Sequence, residues 1–366
     1  MRIGIDASRA FSPQRTGIEE YAYQVIMHLR DKLGDAQVVL YTRPGIKPGL
    51  EETQSLPVNW KLKVIRWPIF WTQIGLSLEM LWHPVDTLFV PAHTAPLIHP
   101  KNTVVTIHGL EYEFCPEAYS LWERLYMRWF IKLSCWWSQK IIAVSENTRR
   151  DLMGLYNIPE DKIKVVYEGY DSNLKFQISN FKSSFNVKIS KPYLLFVGRI
   201  ENRKNVEGII EALEILKSRH DIPHKLVLIG KPGYGYKNIK FKVQSSKFKD
   251  SIVELGYVDE QKKRDLLHGA EVFLFPSFYE GFGLPILEAQ AMGVPVVAAN
   301  GSSISEVAGK TALLVDPNSV DQIAEATYRL IYDKALKDDI IQKGYSNIKR
   351  FSWEECARTI AQLIAN

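Results

Sequence analysis

The chain has 366 residues, 46% of them hydrophobic and 24% charged, with 46 Lys and Arg against 41 Asp and Glu. At ~150 residues per domain this length predicts two or three domains, and the composition excludes a disordered chain, a collagen or a disulfide scaffold. A net charge of +5 is too mild to imply nucleic acid by itself, and three scattered cysteines (Cys115, Cys135, Cys356) fit neither a metal cluster nor a disulfide framework, which points to a reducing compartment.

The chain opens on Met-Arg-Ile-Gly-Ile-Asp, which reads as a strand rather than a signal peptide. Short runs rich in Val, Ile, Leu and Phe follow at 37–41, 87–91, 103–108, 140–145 and 162–169, with helix-length amphipathic stretches between several of them. Continuous apolar strands separated by helices predict a parallel sheet covered on both faces. Residues 172–191 are polar and Ser- and Lys-rich, as a linker would be. A second series then runs through 193–198, 225–230, 251–256, 272–277, 295–300 and 312–317. The expected fold is therefore α/β: two Rossmann-like doubly wound domains facing across a cleft, with ligands beyond the carboxyl ends of the strands. The expected boundaries are 1–175, a linker at 176–191, 192–348, and a C-terminal helix at 349–366 that returns to the first domain. Ser352 and Glu355 form a capping box for that helix, and Trp353, Cys356, Ala357, Ile360, Ala361 and Ile364 give it one apolar stripe. No run of 18 apolar residues occurs, so no membrane span is expected.

The densest chemistry lies in 276–293. A strand ends near Ser277, Glu280 follows, Gly281-Phe282-Gly283 turns the chain, and Pro285 starts a helix carrying Glu288 and ending at Gly293. The helix start favours anionic or hydroxyl-rich groups. A second strand-turn-helix fragment, 196–205, places Arg199 and Lys204 in a loop where two cations can clamp a diphosphate. Arg203 beside them receives no orientation from the sequence; read in isolation the loop is a solvated basic turn, and its pairing with the Glu280/Glu288 segment favours the clamp.

Glu280-Gly-Phe-Gly-Leu-Pro-Ile-Leu-Glu288 resembles the E-x(7)-E signature of the retaining glycosyltransferases of family 4, which have the GT-B fold. Arg199 and Lys204 stand where that family has its diphosphate-binding pair. Thr16 to Tyr21 resembles its N-terminal Gly-rich loop, Val105 to Leu110 its His-bearing strand end, and Ala143 to Leu152 its Ser-led helix start. Tyr167 to Asp171 departs from the family's Asn-Gly-Val-Asp at Glu168 and Tyr170. The resemblance implies that Glu280 faces the transferred sugar as a catalytic residue, with His108 near it. It implies that Glu288 binds the ribose diol, that the amides of Gly281, Phe282, Gly283 and Leu284 meet sugar and phosphate, that Gly17 approaches the diphosphate, and that Gly256, Tyr257 and Val258 line the base. It further implies a metal-independent transfer without cofactor, and the chain contains no Asp-x-Asp motif. The expected donor is GDP-mannose or a UDP-hexose, the acceptor a glycan or lipid-linked saccharide in surface-polysaccharide assembly, and the expected location the cytoplasm. A non-catalytic sugar-nucleotide-binding subunit, a phosphorylase and an epimerase are the alternatives on the same fold.

Other residues have plainer readings. His108 alone reads first as a satisfied strand-end histidine, and its place at a buried strand end in the half opposite the Glu pair turns the reading toward catalysis; His83, His93 and His99 read as structural or acceptor-lining. Asp6 is expected to cap or orient the Gly17 loop, Ser145 to cap its helix, and Ser303 with Glu306 to form a further capping box. In the helix-length segment 119–138, Arg124, Arg128 and Lys132 recur on one face, while Trp122, Trp129 and Trp136 recur every seven residues. A basic stripe beside an aromatic face suits a helix on an anionic membrane surface. It equally suits a core helix with its aromatics on the sheet. The intermediate expectation is that the aromatics are largely buried and the cations meet a lipid-linked acceptor, with Arg66, Trp67, Phe70 and Trp71 as a second aromatic-basic rim.

Overall fold

All twelve apolar runs contain strands, and a thirteenth strand joins them. The computed structural model describes residues 1–12, 14–46, 49, 56–170, 189 and 191–365. They fall into two units. The linker expected at 176–191 lies outside the described residues apart from 189 and 191.

The first unit comprises Met1–Leu110, Leu121–Gly169 and Phe351–Asn366. Its strands are β1 (Arg2–Asp6), β2 (Gln37–Thr42), β3 (Trp60–Val64), β4 (Thr87–Val90), β5 (Asn102–Ile107), β6 (Lys140–Ala143) and β7 (Ile163–Val165), in the order β3-β2-β1-β4-β5-β6-β7. Every pairing is parallel. The central strands are buried on both faces, which is why they read as unbroken apolar runs. β3 is the strand that sequence reading missed. Trp-Lys-Leu-Lys-Val alternates rather than running apolar, as befits an edge strand whose lysines discourage pairing with another chain.

The helix Gly17–Leu29 begins with a Thr16–Glu19 capping box and buries Tyr21, Ala22, Val25, Ile26 and Leu29. The helix Trp353–Ile364 packs on it, with all six residues of its apolar stripe buried and Ser352 accepting the Glu355 amide at 3.4 Å. The three cysteines are free and buried.

The second unit comprises Glu111–Ser120 and Tyr170–Arg350. Its strands are β8 (Tyr193–Val197), β9 (Lys225–Ile229), β10 (Ile252–Gly256), β11 (Val272–Phe275), β12 (Val296–Ala299) and β13 (Leu313–Val315), all parallel, in the order β10-β9-β8-β11-β12-β13. The short segment Glu111–Ser120 lies within the domain expected at 1–175, yet its contacts are with this unit. Phe114 stacks on Tyr279 at 4.7 Å, and Cys115 and Ala118 form one buried cluster with Tyr279. A ten-residue excursion of this kind carries no periodic signal. Each sheet grows from its first strand to one side and then to the other, so its topological switch points lie between β1 and β4 and between β8 and β11.

Candidate active site

The loops leaving β8 and β11 come off neighbouring strand ends at a switch point and carry most of the residues singled out by the motifs. After β8 the chain makes one 3-10 turn, Asn202–Lys204, before the helix Val206–His220. After β11 the loop reaches Gly283, which caps the helix Leu284–Ala291 at φ 119°, a conformation that favours glycine. The two loops are laced together. Phe278 N donates to Arg203 O at 2.9 Å, and Asn205 Nδ2 donates to the carbonyls of Pro276 and Pro317 at 3.2 and 2.6 Å.

Lys204 and Glu280 meet directly and both are buried: the ammonium donates to Glu280 Oε1. Arg203 Nη1 donates to Glu280 Oε2 at 3.2 Å and to the Tyr279 carbonyl at 2.7 Å, while its Nη2 donates to Glu201 Oε1 at 2.9 Å. Burial pushes the Glu280 carboxyl pKa up, but Lys204 and Arg203 more than reverse this and hold it below the usual carboxylate value. Burial lowers the Lys204 ammonium against the pull of Glu280. For Arg203 burial opposes the charge, and Glu280, Glu111 and Glu201 overcome it.

The loop around Glu280 is fixed by two serines. Ser302 Oγ accepts the Glu280 amide at 3.1 Å, and Ser303 Oγ donates to the carbonyls of Glu280 and Phe282, both at 2.8 Å. The expected Ser303–Glu306 capping box is therefore corrected. Ser303 has helical backbone angles and makes no cap bond, because its hydroxyl is committed to this loop.

The four charged residues of the motif are not grouped as two matched pairs. Glu288 accepts from Lys263 at 2.9 Å, and Arg199, with its side chain 59% exposed, lies 3.5 Å from Glu201. Burial opposes the Lys263 charge, but Glu288 and Glu260 raise its pKa well above the ordinary lysine value. Lys263 and Glu201 were missed, and Arg203 was noted without an orientation. Arg203 stands next to Lys204 in the sequence, but only tertiary packing reveals which way it points; Lys263 belongs to a helix, Glu260–Gly269, that the motifs do not mark. Gly256 closes β10 at φ 65° with open space where a Cβ would stand. Tyr257 is partly exposed with Lys231 Nζ 4.9 Å from its ring, and the Val258 side chain belongs to the core.

In the first unit, Gly17 begins its helix with nothing within 4 Å of an added Cβ, so neither packing nor backbone conformation calls for glycine. Asp6 is buried and accepts the Ser8 amide at 2.9 Å, while the Gly17 turn is organised by Thr16 and Glu19; its expected role there is corrected. Ser145 accepts the Thr148 amide at 3.0 Å, capping its helix. His108 is buried, with Nδ1 3.2 Å from Glu168 Oε1 and Nε2 2.9 Å from Pro91 O, so both ring nitrogens face acceptors. Glu168, the departure from the family pattern, is thus the carboxylate partner of His108. Burial, helped by His108 and Arg9, keeps the His93 pKa well below 6.5.

The helix Leu121–Trp137 overturns the expectation of buried aromatics. It buries Ile131, Ser134 and Cys135, whereas Trp122, Trp129 and Trp136 are 79%, 62% and 50% exposed. The fully buried face consists of small and aliphatic residues, and the tryptophan heptad lies outside it. Arg128 is exposed, Arg124 and Lys132 half-buried, and Lys132 Nζ lies 5.7 Å from the Tyr156 ring. Trp67, Ile69 and Phe70 are also exposed, but Trp71 is buried with Nε1 bonded to Ile65 O at 3.1 Å, so it leaves the expected rim. Among the described residues no helix is long and apolar enough to cross a membrane.

Comparison with known proteins bears on this arrangement. Residues 15–174 match the family model Glycosyltransferase Family 4, and residues 177–347 match Glycosyl transferases group 1. O-antigen chain mannosyltransferase B of Escherichia coli is 31% identical over 269 residues, 70% of this chain and 68% of the relative. O-antigen chain mannosyltransferase RfbU of Salmonella typhimurium is 25% identical over 336 residues, 92% of this chain and 86% of the relative. Among solved structures, sucrose-phosphate synthase of Thermosynechococcus elongatus superposes with TM-score 0.74 at 19% identity, covering 99% of this chain and 98% of its own. WaaG, a glycosyltransferase involved in lipopolysaccharide biosynthesis, superposes with TM-score 0.72 at 14% identity, covering 100% and 99%. Two Rossmann-like domains with these relatives define a glycosyltransferase of the GT-B fold. The chain belongs to glycosyltransferase family 4.

Proposed function

We propose that this glycosyltransferase moves a hexose, mannose as the first choice, from GDP-mannose to a hydroxyl of a glycan or lipid-linked saccharide in surface-polysaccharide assembly, with retention at the anomeric carbon. The observation that carries the reading is the buried Lys204–Glu280–Arg203 cluster beside a helix start at a sheet switch point. The mannosyl choice is supported by relatives named as O-antigen mannosyltransferases.

In this reading Arg199 and Lys204 receive the diphosphate, Glu288, steadied by Lys263, accepts the ribose hydroxyls, and Glu280 accepts hydroxyls of the sugar. The amides at 281–284 serve sugar and phosphate, and the backbone at 256–258 lines the base. Bond breaking builds negative charge on the diphosphate, which these preorganised donors stabilise. Glu280 has a cation on each oxygen, which suits a binder better than a nucleophile. The departing phosphate is then the base that takes the acceptor proton on the same face. His108, with both nitrogens engaged, contributes position rather than proton transfer.

The test is thermal unfolding with GDP, UDP and ADP. GDP is expected to stabilise most, by ~2.7 kcal/mol at a hundredfold excess over its Kd. A larger effect of UDP overturns the donor, and binding with no nucleoside diphosphate released from any donor overturns transfer itself.

Contact with the cytoplasmic face of a membrane belongs to the same reading. Exposed Trp67, Phe70, Trp122, Trp129 and Trp136, with Arg66 and Arg128 exposed near them in sequence, have the composition of an interfacial surface. Flotation with phosphatidylglycerol vesicles at low salt is expected to carry the protein upward. Replacing Trp122 and Trp129 together by Ser should weaken binding about tenfold or more. Full retention in the soluble fraction rejects the contact.

A further inference from the structure

We propose that Arg203 is a positioning residue that keeps the Glu280 carboxylate aimed and charged when Lys204 is drawn toward the donor diphosphate. The inference rests on the donor reading above and adds a residue that the motif does not assign. Lys204 is a point charge on a flexible stem, and a diphosphate competes with Glu280 for it. Arg203 cannot follow. Its planar fork is tied at once to the Tyr279 carbonyl (2.7 Å), Glu280 Oε2 (3.2 Å) and Glu201 Oε1 (2.9 Å), and its own carbonyl accepts the Phe278 amide at 2.9 Å. The guanidinium thus moves with the loop that carries Glu280, although it belongs to the loop after β8.

The charged and titratable surroundings leave it no substitute. Glu280 is faced by Lys204, Arg203 and the Cys115 thiol; Arg203 is faced by Glu201, Glu111 and Tyr119, the last two from the Glu111–Ser120 segment. Burial pushes the Cys115 thiol up to about 11 and raises Tyr119 as well, so neither contributes charge near neutral pH. Once Lys204 leaves, Arg203 is the one cation still held on Glu280 among the described residues. A buried carboxylate stripped of both takes up a proton, and a protonated Glu280 no longer offers two acceptor oxygens to a sugar.

The experiment compares wild type with Arg203→Ala, Arg203→Gln and Arg203→Lys. GDP and UDP binding is followed by calorimetry at pH 6.5 in two buffers of different ionisation enthalpy, and kcat and KM for GDP-mannose are measured across pH. Wild type is expected to bind nucleotide without net proton uptake. Arg203→Ala should take up about one proton more than wild type on binding and shift the acid limb of kcat, which reports the donor-bound enzyme, upward by about three pH units. Its kcat should fall by about 100-fold, with donor KM changed far less. Arg203→Gln keeps a donor without the charge and should show the same upward shift, which preserves the test if the Ala variant does not fold. Arg203→Lys should restore the acid limb but only part of kcat, because an ammonium cannot make the three-point grip. Wild-type proton balance and acid limb in both the Ala and Gln variants, or a loss confined to KM, overturns the inference while leaving the donor reading intact. If neither nucleotide binds wild type, the donor reading falls and this inference with it.

Discussion

Replacing Glu280 by Gln is expected to lower turnover by about 100-fold or more while donor affinity stays level or rises. The two effects separate because the carboxylate has two jobs. As a sugar acceptor it supplies charge that an amide lacks. As the partner of Lys204 and Arg203 it competes with the diphosphate for the same cations, so its neutralisation leaves them freer for the donor. Stability should fall by about 3 kcal/mol, since removing one member of a buried ion cluster strands the others. Steady-state transfer, nucleotide calorimetry and thermal unfolding measure the three quantities independently. Near wild-type transfer by this variant removes Glu280 from any catalytic role.

Gly230→Ala should destabilise the second unit by ~3 kcal/mol and weaken donor binding with it. Gly230 follows β9 at φ 146°, and a Cβ there would come within 1.8 Å of the Gly198 carbonyl oxygen. The neighbour is backbone, in the turn just before Arg199, so the clash cannot be relieved by a rotamer change. Relief requires β8 and β9 to part where Gly198 N donates to Ile229 O at 2.9 Å, and that would displace the turn leading to Arg199 and Lys204. Urea unfolding and nucleotide titration check both halves. A variant with wild-type midpoint and affinity would show that the strand ends have slack.

Much of the fold was legible because parallel strands buried on both faces are unbroken apolar runs, and glycine turns mark where they end. The E-x(7)-E spacing and the Arg199–Lys204 pair were legible for a related reason: one strand-turn-helix places residues of fixed separation at one end of a sheet. β3 escaped because an edge strand alternates and carries lysines. The orientation of the tryptophan heptad escaped because helical spacing shows which residues share a face and not which way the face points. Ser303 was read as a cap from local spacing alone, whereas its hydroxyl answers carbonyls more than twenty residues away.

Local order in the chain determined the class of fold, the helix starts and the identity of the motif residues, since these depend on period, capping and turn chemistry among near neighbours. Which charge meets which was decided only in three dimensions: Lys204 and Arg203 on Glu280, Lys263 on Glu288, Glu168 on His108. Coulomb attraction and desolvation act through space, so side chains 25 to 77 positions apart form these pairs only after the sheets have brought their loops together.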